Sequence, residues 1–267
     1  MTKRFENPPL IELVAELRWT DPEPATNINS NLDLTMRSDL FERTSKSLTS
    51  VFASKGYGSS ERLNPVGFPM TNGQVAIRYK YSGNESLEKN SLSPAALFQL
   101  GMGVFTINAT RPYSSWSEFS NIVRCGVESL LKENGSEVKE YQLRMRYLDA
   151  FKKDLVGDLG FTEFLDNIFN IKVSLPSAMT DIGLVDKASI PHIQISLPVK
   201  LGSVRVKLAK GKVDAESAFI METVISFAES YEPNTDSIME AFSEGRELVH
   251  NMFMSISEPL HHKMKPV

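Results

Sequence analysis

Residues 97–131, LFQLGMGVFTINATRPYSSWSEFSNIVRCGVESLL, carry the clearest secondary-structure pattern in the chain. Residues 97–106 are almost all apolar or small, which is typical of a strand covered on both faces or lying in the middle of a sheet. Glycines inside such a strand usually mark a bulge or a bend. Arg111-Pro112 ends the strand, because proline has no amide hydrogen for a sheet ladder. We therefore predict one buried strand, a proline turn and then a helix.

The predicted helix begins with a capping box. The Ser115 hydroxyl can accept a hydrogen bond from the Glu118 amide, while the Glu118 carboxylate reaches back to the Ser115 amide. Asn134-Gly135 supplies a left-handed stop. Apolar residues lie between these signals at helical spacing: Trp116, Phe119, Ile122, Val123, Val127, Leu130 and Leu131. A helix with one apolar face has to pack against another layer, and we expect that layer to be a sheet.

Three other segments before residue 152 alternate between apolar and polar side chains, as strands with one buried face do. They are residues 10–19, 75–81 and 138–151. Ser38 caps a predicted helix that ends at Gly56, whereas residues 20–37 and 83–95 have the composition of loops and residues 62–70 that of an edge strand or loop. We predict an antiparallel-rich sheet with two helices on one face over residues 1–151.

For the remaining residues, 152–267, the sequence predicts a second sheet covered by helices. Residues 152–160 have the composition of a linker, and a short helix follows over 161–169. Strands are predicted over 171–175, 192–200, 204–213 and 219–228, with a tight hairpin through Leu201-Gly202-Ser203. A long helix runs from Asp236 to about Ser257 and ends at Pro259. The predicted fold class is α+β, with two antiparallel-rich sheets each covered by helices and a long C-terminal helix.

Composition limits the classes of function. The net charge of −4 argues against non-specific binding to nucleic acid, although a local basic patch stays open. No apolar run approaches the roughly eighteen residues of a membrane span, and the opening MTKRFENPP lacks the apolar core of a secretion signal. The single cysteine, Cys125, excludes an internal disulfide. We expect a cytoplasmic protein that does not enter a membrane.

Charged side chains share one face of the predicted first sheet: Glu12, Glu16, Arg18, Arg78, Lys80, Arg144 and Arg146. Opposite charges on neighbouring strands contribute about 0.2–1 kcal/mol per pair. One interpretation is therefore a solvated lattice of cross-strand pairs, with Glu12 and Glu16 as partners of basic residues. The functional alternative is a docking face on which Arg78, Lys80, Arg144 and Arg146 contact a partner.

The most basic stretch is the predicted hairpin around Leu201. Its cations are Lys200, Arg205, Lys207, Lys210 and Lys212. No aromatic side chains are interleaved for base stacking, as single-strand binders use. A solvated strand face is the structural interpretation. Binding of phosphate or of an acidic partner surface is the functional one, and nucleic acid is not favoured.

Motifs that carry chemistry are missing. The sequence has no HExxH, no GxGxxG opening a βαβ unit, no GxxxxGK[ST] and no GxSxG. Its four histidines and one cysteine do not form the usual zinc patterns. We therefore assign no catalytic residue, no cofactor and no metal ligand.

Several segments together resemble one prokaryotic protein family. They are NPPLIELVAELRW at 7–19, GVFTINATRPYSSWSEF at 103–119, LRMRYLDAF at 143–151 and the long C-terminal helix. This combination resembles the uncharacterised "sporadically distributed" family, whose members are of about this length. The resemblance implies a gene carried on mobile elements, often in defence or toxin–antitoxin settings. It implies no catalytic residues.

Three hypotheses of function follow. The first is a non-catalytic interaction or regulatory subunit, in a hetero-complex or a homo-oligomer, within an antiviral-defence or toxin–antitoxin module. The second is a protein that binds a small ligand or nucleotide in a cavity between a sheet and the long helix. The third is a metal-dependent nuclease built on Glu12, Glu16 and Asp149.

Overall fold

The computed structural model describes residues 5–19, 30–63, 73–82, 95–113, 115–174, 176–180 and 192–267. Its strands are β1 Leu10–Arg18, β2 Ser59–Arg62, β3 Val75–Lys80, β4 Ala96–Gly101, β5 Val104–Thr110, β6 Tyr141–Lys152, β7 His192–Val199, β8 Gly202–Val213 and β9 Glu216–Tyr231. Its α-helices are α1 Ser30–Ala53, α2 Trp116–Asn134, α3 Lys153–Val156, α4 Phe161–Phe169, α5 Ser177–Thr180, α6 Thr235–Ile256 and α7 His261–Met264, with a 3₁₀ turn at Glu258–Leu260.

The strands of the described residues form one antiparallel sheet, in the order β2-β3-β4-β5-β1-β6-β9-β8-β7. The class α+β is confirmed, but the prediction of two sheets is wrong. β6 pairs with β1 along one edge and with β9 along the other, so the strands before and after residues 152–160 belong to one sheet. Alternation in a sequence shows which face of a strand is buried but not which strands flank it, and this is why one sheet was mistaken for two. The division into 1–151 and 152–267 stays a prediction.

Two parts of the chain, from β1 to α2 and from β6 to α6, connect their strands in the same way. The first strand of each part pairs with the last, β1 with β5 and β6 with β9, while the intervening strands extend outward to the edge. β1 and β6 then meet antiparallel in the middle of the sheet, with Ala15 opposite Met145. The long helices α2 and α6 each follow the last strand of their part. The chain order of elements is therefore repeated about the β1–β6 pair.

The predicted single strand over 97–106 is a hairpin, which corrects that prediction. β4 pairs with β5 through a tight turn at Met102-Gly103, where Gly103 has φ 68°. A Cβ atom on Gly101 would lie 1.8 Å from the Gln74 carbonyl oxygen, so only glycine fits there. Because even Met102 in the turn is buried, no polar residue marks the reversal in the sequence.

Other boundaries also differ from the prediction. α1 begins at Ser30 and not after Ser38, and residues 171–174 are irregular where a strand was predicted. The predicted loops fall largely outside the described residues, which omit 20–29, 64–72 and 83–94. The predicted end of the central strand before Arg111-Pro112 is confirmed, as are α2, α4, α6 and the β7–β8 hairpin. Ser115 accepts a hydrogen bond from the Glu118 amide at 3.2 Å, and Gly135 ends α2 with φ 55°.

The core lies between one face of the sheet and the helices. Phe52 of α1 stacks on Phe98 of β4 with ring centroids 4.2 Å apart. Phe164 of α4 packs against Phe151 of β6, and Phe242 of α6 packs against Phe227 of β9. Burying one such side chain contributes about 1.5–3 kcal/mol. The helices therefore cover one face of the sheet, and we call the opposite face the polar face.

Candidate functional site

The predicted charged residues share the polar face, and two acidic side chains there pair across strands. Arg146 donates to the Glu12 carboxylate at 2.8 Å, and the Arg144 guanidinium lies 3.5 Å from Glu16. Glu16 also accepts from Arg18 at 2.6 Å. The interpretation of Glu12 and Glu16 as cross-strand partners of basic residues is confirmed.

Hydrogen bonds continue this lattice along the polar face toward β3. The Asn108 amide donates to Glu12 at 2.9 Å, and the Thr106 hydroxyl donates to Asn108 at 2.8 Å. Since that hydroxyl has one hydrogen, the Gln99 amide nitrogen donates to Thr106, and its oxygen accepts from Arg78 at 3.0 Å. Four strands are thereby linked by buried or half-buried polar contacts.

Arg78 and Lys80 lie at the end of this lattice beside Glu61 of β2. The Lys80 ammonium lies 2.7 Å from the Glu61 carboxylate, and Arg78 lies at 3.8 Å. The hydrogen bond from Lys80, supported by the charges of Lys80 and Arg78, lowers the pKa of the Glu61 carboxyl. The four candidate cations of this face, Arg78, Lys80, Arg144 and Arg146, therefore all have partners inside the sheet.

The cations of the basic hairpin do not lie on one face. Arg205 and Lys207 project to the polar face, where Lys207 is opposite Glu222. Lys210 and Lys212 have the other parity and project to the helix side of the sheet. Lys200 lies in the turn between β7 and β8. No salt bridge joins any of the five to an acidic side chain in the described part of the chain. The structure therefore divides the predicted site among the polar face, the helix side of the sheet and the β7–β8 turn.

A cavity of about 1110 Å³ lies on the helix side of the sheet. Its floor is formed by β6 and β9, one wall by the first turn of α2, and its other wall by the second half of α6. Residues near both chain ends close one side, where Phe5 forms a bridge with Pro266. The lining is apolar over much of its area, with Trp116, Phe253, Met254 and the Pro8-Pro9 segment among its residues. Cavities of this size bind organic ligands in other proteins.

Polar groups without partners lie on the floor of this cavity. Asp149 is 4% exposed, and its carboxyl has no hydrogen bond or ion pair among the described residues. The buried hydroxyls of Tyr147 and Thr223 also have no hydrogen-bond partner there. Tyr147 and Asp149 are two residues apart on one face of β6, and Thr223 of β9 lies directly opposite Tyr147. These three polar side chains therefore form one cluster.

Burial dominates the electrostatics of the cluster. It raises the pKa of the Asp149 carboxyl to about 7, with no nearby positive charge to offset it. Burial also raises the pKa of the Tyr147 hydroxyl. The nearby Tyr113 hydroxyl adds to this effect, Arg246 opposes it, and Asp149 adds a smaller contribution. A carboxyl in a cavity with a pKa near neutral pH is typical of functional sites.

Arg246 and His250 lie one helical turn apart on α6 and line the cavity wall. Arg246 forms no ion pair within the described residues, although it is half-buried. Burial lowers the pKa of the His250 imidazole, and the charge of Arg246 adds to this effect. The wall therefore presents a cation and a neutral imidazole to the cavity.

Sequence reasoning missed this cluster as a site, but signals for it existed. Asp149 continues the buried parity of Tyr141, Met145 and Tyr147, where a carboxylate is out of place. Arg246 and His250 fall between Phe242 and Phe253 at spacings of three and four, so they border the apolar stripe of α6. Polar residues at positions where the strand or helix pattern calls for apolar ones can indicate a cavity that these residues line.

The three carboxylates proposed for a nuclease are separated. Glu12 and Glu16 project from the polar face, whereas Asp149 projects into the cavity on the other side of the sheet. Within the residues described, no three His, Cys, Asp or Glu side chains are grouped so that they could hold a metal ion. The positions of these carboxylates give the nuclease hypothesis no support.

In the part of the chain that the structure describes, no helix combines the length and the apolar character needed to cross a bilayer. No protein-family model matches the chain, and no curated protein is significantly similar to it in sequence. Membership of the "sporadically distributed" family, a place in a defence or toxin–antitoxin module and a cytoplasmic location therefore stay predictions.

Proposed function

We propose that this protein binds a small organic molecule in the cavity between β6, β9 and α6. The observation that carries the proposal is the cluster of Asp149, Tyr147 and Thr223, whose buried polar groups have no partners in the described structure. Leaving a buried polar group without a hydrogen bond costs about 1–3 kcal/mol. A protein that keeps three of them together in one cavity is built for a molecule that supplies the missing bonds.

The walls of the cavity support the same proposal. Trp116, Phe253 and Met254 offer apolar and aromatic surface, and Arg246 and His250 offer polar contacts at defined points. Ligand pockets in general combine a mostly apolar lining with a few placed polar groups. On the polar face, by contrast, Glu12, Glu16 and Glu61 pair with the cations of β3 and β6.

A substitution that fills the cavity tests the proposal. Met254 lines the cavity and is not part of the packed core, so Met254→Trp adds volume there at little cost in stability. Asn251→Trp is the matched control, because Asn251 is exposed on the same helix and does not line the cavity. We expect saturable binding of the neutral dye Nile red, at one site, to wild type and to Asn251→Trp, and at least tenfold weaker binding to Met254→Trp.

The same three proteins are then screened by thermal shift against a metabolite panel. A ligand of the native state raises the melting temperature with its concentration. A shift seen in wild type and Asn251→Trp but lost in Met254→Trp supports the proposal. Equal dye binding by all three proteins, with no metabolite that shifts the melting temperature, contradicts it.

The basic hairpin favours a second function, the binding of an acidic surface on a partner protein. Its supporting observation is that Arg205 and Lys207 project together from β8 without an ion pair in the described residues. We expect a complex with the product of a neighbouring gene, measured by size exclusion with light scattering, that weakens at high salt. The double substitution to Glu at 205 and 207 should abolish the complex, and the same change at Lys210 and Lys212, on the other side of the sheet, should not. Equal effects of the two double variants, or no complex at low salt, argue against this function.

A further inference from the structure

The cavity contains two groups of opposite charge that do not pair with each other. Asp149 lies on the sheet floor, and Arg246 lies on the α6 wall. Neither has an ion pair in the described structure, and the pKa of Asp149 responds to burial without any contribution from Arg246. Both charges act on the Tyr147 hydroxyl, so they flank the same part of the cavity. Because the Asp149 carboxyl and the Arg246 guanidinium line one cavity without pairing, each is available to a charged or polar group of a ligand.

The floor is suited to a group that donates hydrogen bonds. The Asp149 carboxyl accepts hydrogen bonds when ionised. The Thr223 hydroxyl, in a residue 1% exposed, and the buried Tyr147 hydroxyl can each accept or donate one beside it. An amino group with two or three hydrogens satisfies this set, whereas the ionised Asp149 carboxyl repels a carboxylate or phosphate.

The wall is suited to the opposite kind of group. The planar guanidinium of Arg246 pairs well with a carboxylate or a phosphate. His250 lies one turn further along α6 and can donate one hydrogen bond in its neutral form. Between floor and wall the lining is apolar and aromatic, with Trp116 and Phe253 facing the same space.

We infer that the ligand is a small amphoteric molecule, with an amino group bound by Asp149, Tyr147 and Thr223, an acidic group bound by Arg246, and an apolar or planar body packed against Trp116 and Phe253. This inference rests on the proposed function and specifies its ligand. Two sources share this chemistry: a nucleotide whose base carries an amino group, and an amino acid with a large apolar side chain.

Probes that differ by one group separate these sources. In the nucleotide arm, AMP is compared with IMP, which lacks the amino group, and with adenosine, which lacks the phosphate. In the amino acid arm, phenylalanine is compared with 3-phenylpropionate and with phenethylamine. We expect calorimetric titration at pH 8 to show at least tenfold tighter binding of the complete probe in one of the two arms.

Two variants assign each preference to its side chain. Asp149→Asn removes the charge at nearly constant shape, and Arg246→Met keeps an unbranched side chain without the charge. Asp149→Asn should abolish the preference for the amino group and keep that for the acid, and Arg246→Met should do the reverse. A merely structural role of either residue would weaken every probe equally, so the pattern across the probes is diagnostic.

The inference is overturned if the complete probes bind no more tightly than those that lack one group, or if the variants leave the preferences unchanged. The inference is also overturned if neither AMP nor phenylalanine binds. The proposed function is judged separately by the Nile red titration, because that dye is neutral and requires neither Asp149 nor Arg246.

Discussion

Asp149 is the residue whose surroundings differ most from those that its chemistry prefers. Its carboxyl is buried, and its pKa of about 7 lies well above the ordinary value near 4. Well below pH 4 the group is protonated in both the folded and the unfolded chain, so its ionisation does not affect stability. As the pH rises from 4 to 7, the unfolded chain releases the proton that the folded chain retains, so the folded state loses stability. Above pH 7 the full cost of the buried charge is present.

We therefore expect Asp149→Asn to stabilise the protein without ligand at pH 8, by up to about 4 kcal/mol, and to have a much smaller effect at pH 4.5. The other titratable or charged groups around the cavity are Tyr147 on β6, Arg246 and His250 on α6, and Tyr113 before α2. Urea unfolding of wild type and variant over this pH range measures the difference.

Asp166→Asn is the control for this prediction, since it removes the same charge from an exposed position on α4. It should change the free energy of unfolding little at any pH. If Asp149→Asn destabilises the protein at pH 8, the folded protein stabilises the Asp149 charge, and the prediction is wrong. Stabilisation combined with loss of ligand binding is the signature of a residue kept for function.

Individual residues on the polar face were predictable, whereas those of the cavity were not. Alternation in β1 and β6 places Glu12 and Glu16 on the same face as basic side chains, so pairing between acidic and basic residues could be predicted from charge, although the partner of each could not. Asp149 and Thr223 lie 74 residues apart in sequence and meet only because β6 pairs with β9 in one register. Nothing in either strand by itself specifies that register.

At the scale of elements, the β4–β5 hairpin depends on one close backbone contact. We expect Gly101→Ala to lower the free energy of unfolding by roughly 2–3 kcal/mol, because its Cβ would lie 1.8 Å from the Gln74 carbonyl oxygen and the backbone has to move. Thermal and urea unfolding measure the loss.

Gly160→Ala is the matched control for the hairpin. The nearest atom to a Cβ at residue 160 is the end of the flexible Glu163 side chain at 3.3 Å, and φ is −68°. We expect a loss below about 1 kcal/mol, which is the cost of a poorer helix cap. Equal losses at Gly101 and Gly160 would mean that β3 and β4 adapt to the extra methyl group.

Elements with local signals were predicted well. α2 has its cap at Ser115 and its stop at Gly135, and α6 ends before Pro259, so short-range chemistry fixes their limits. The β4–β5 hairpin was missed because both strands and the turn are buried. A turn without polar residues has no compositional mark except its glycines.

The whole molecule is held together by the β1–β6 and β6–β9 pairs. We expect the fragment 152–267, expressed alone, to show no cooperative thermal transition by circular dichroism. β9 loses β6 as its ladder partner, and α6 loses part of the sheet and α2 against which it packs. A cooperative transition in the isolated fragment would instead support two independent domains.

Mixing the fragments 1–151 and 152–267 provides the complementary measurement. If the single sheet is the folding unit, the mixture should regain helix and sheet signal beyond the sum of the two. The class α+β and the helix positions could be read from periodicity, but the union of the strands into one sheet could not. That union depends on β6 having a partner on both edges, which is a property of the assembled molecule.

The position of β1 in the middle of the sheet also affects how the protein is made. β1 pairs with β5 and β6, and Leu13 lies opposite Tyr147, which is 134 positions further along the chain. At about 5–20 residues per second, synthesis delivers β6 roughly ten seconds after β1. Before β6 is made, β1 can pair with β5 alone, and its other edge stays open to pairing with other chains. The growing chain therefore carries an incomplete sheet until β6 is made, and β9 joins the other edge of β6 only later still.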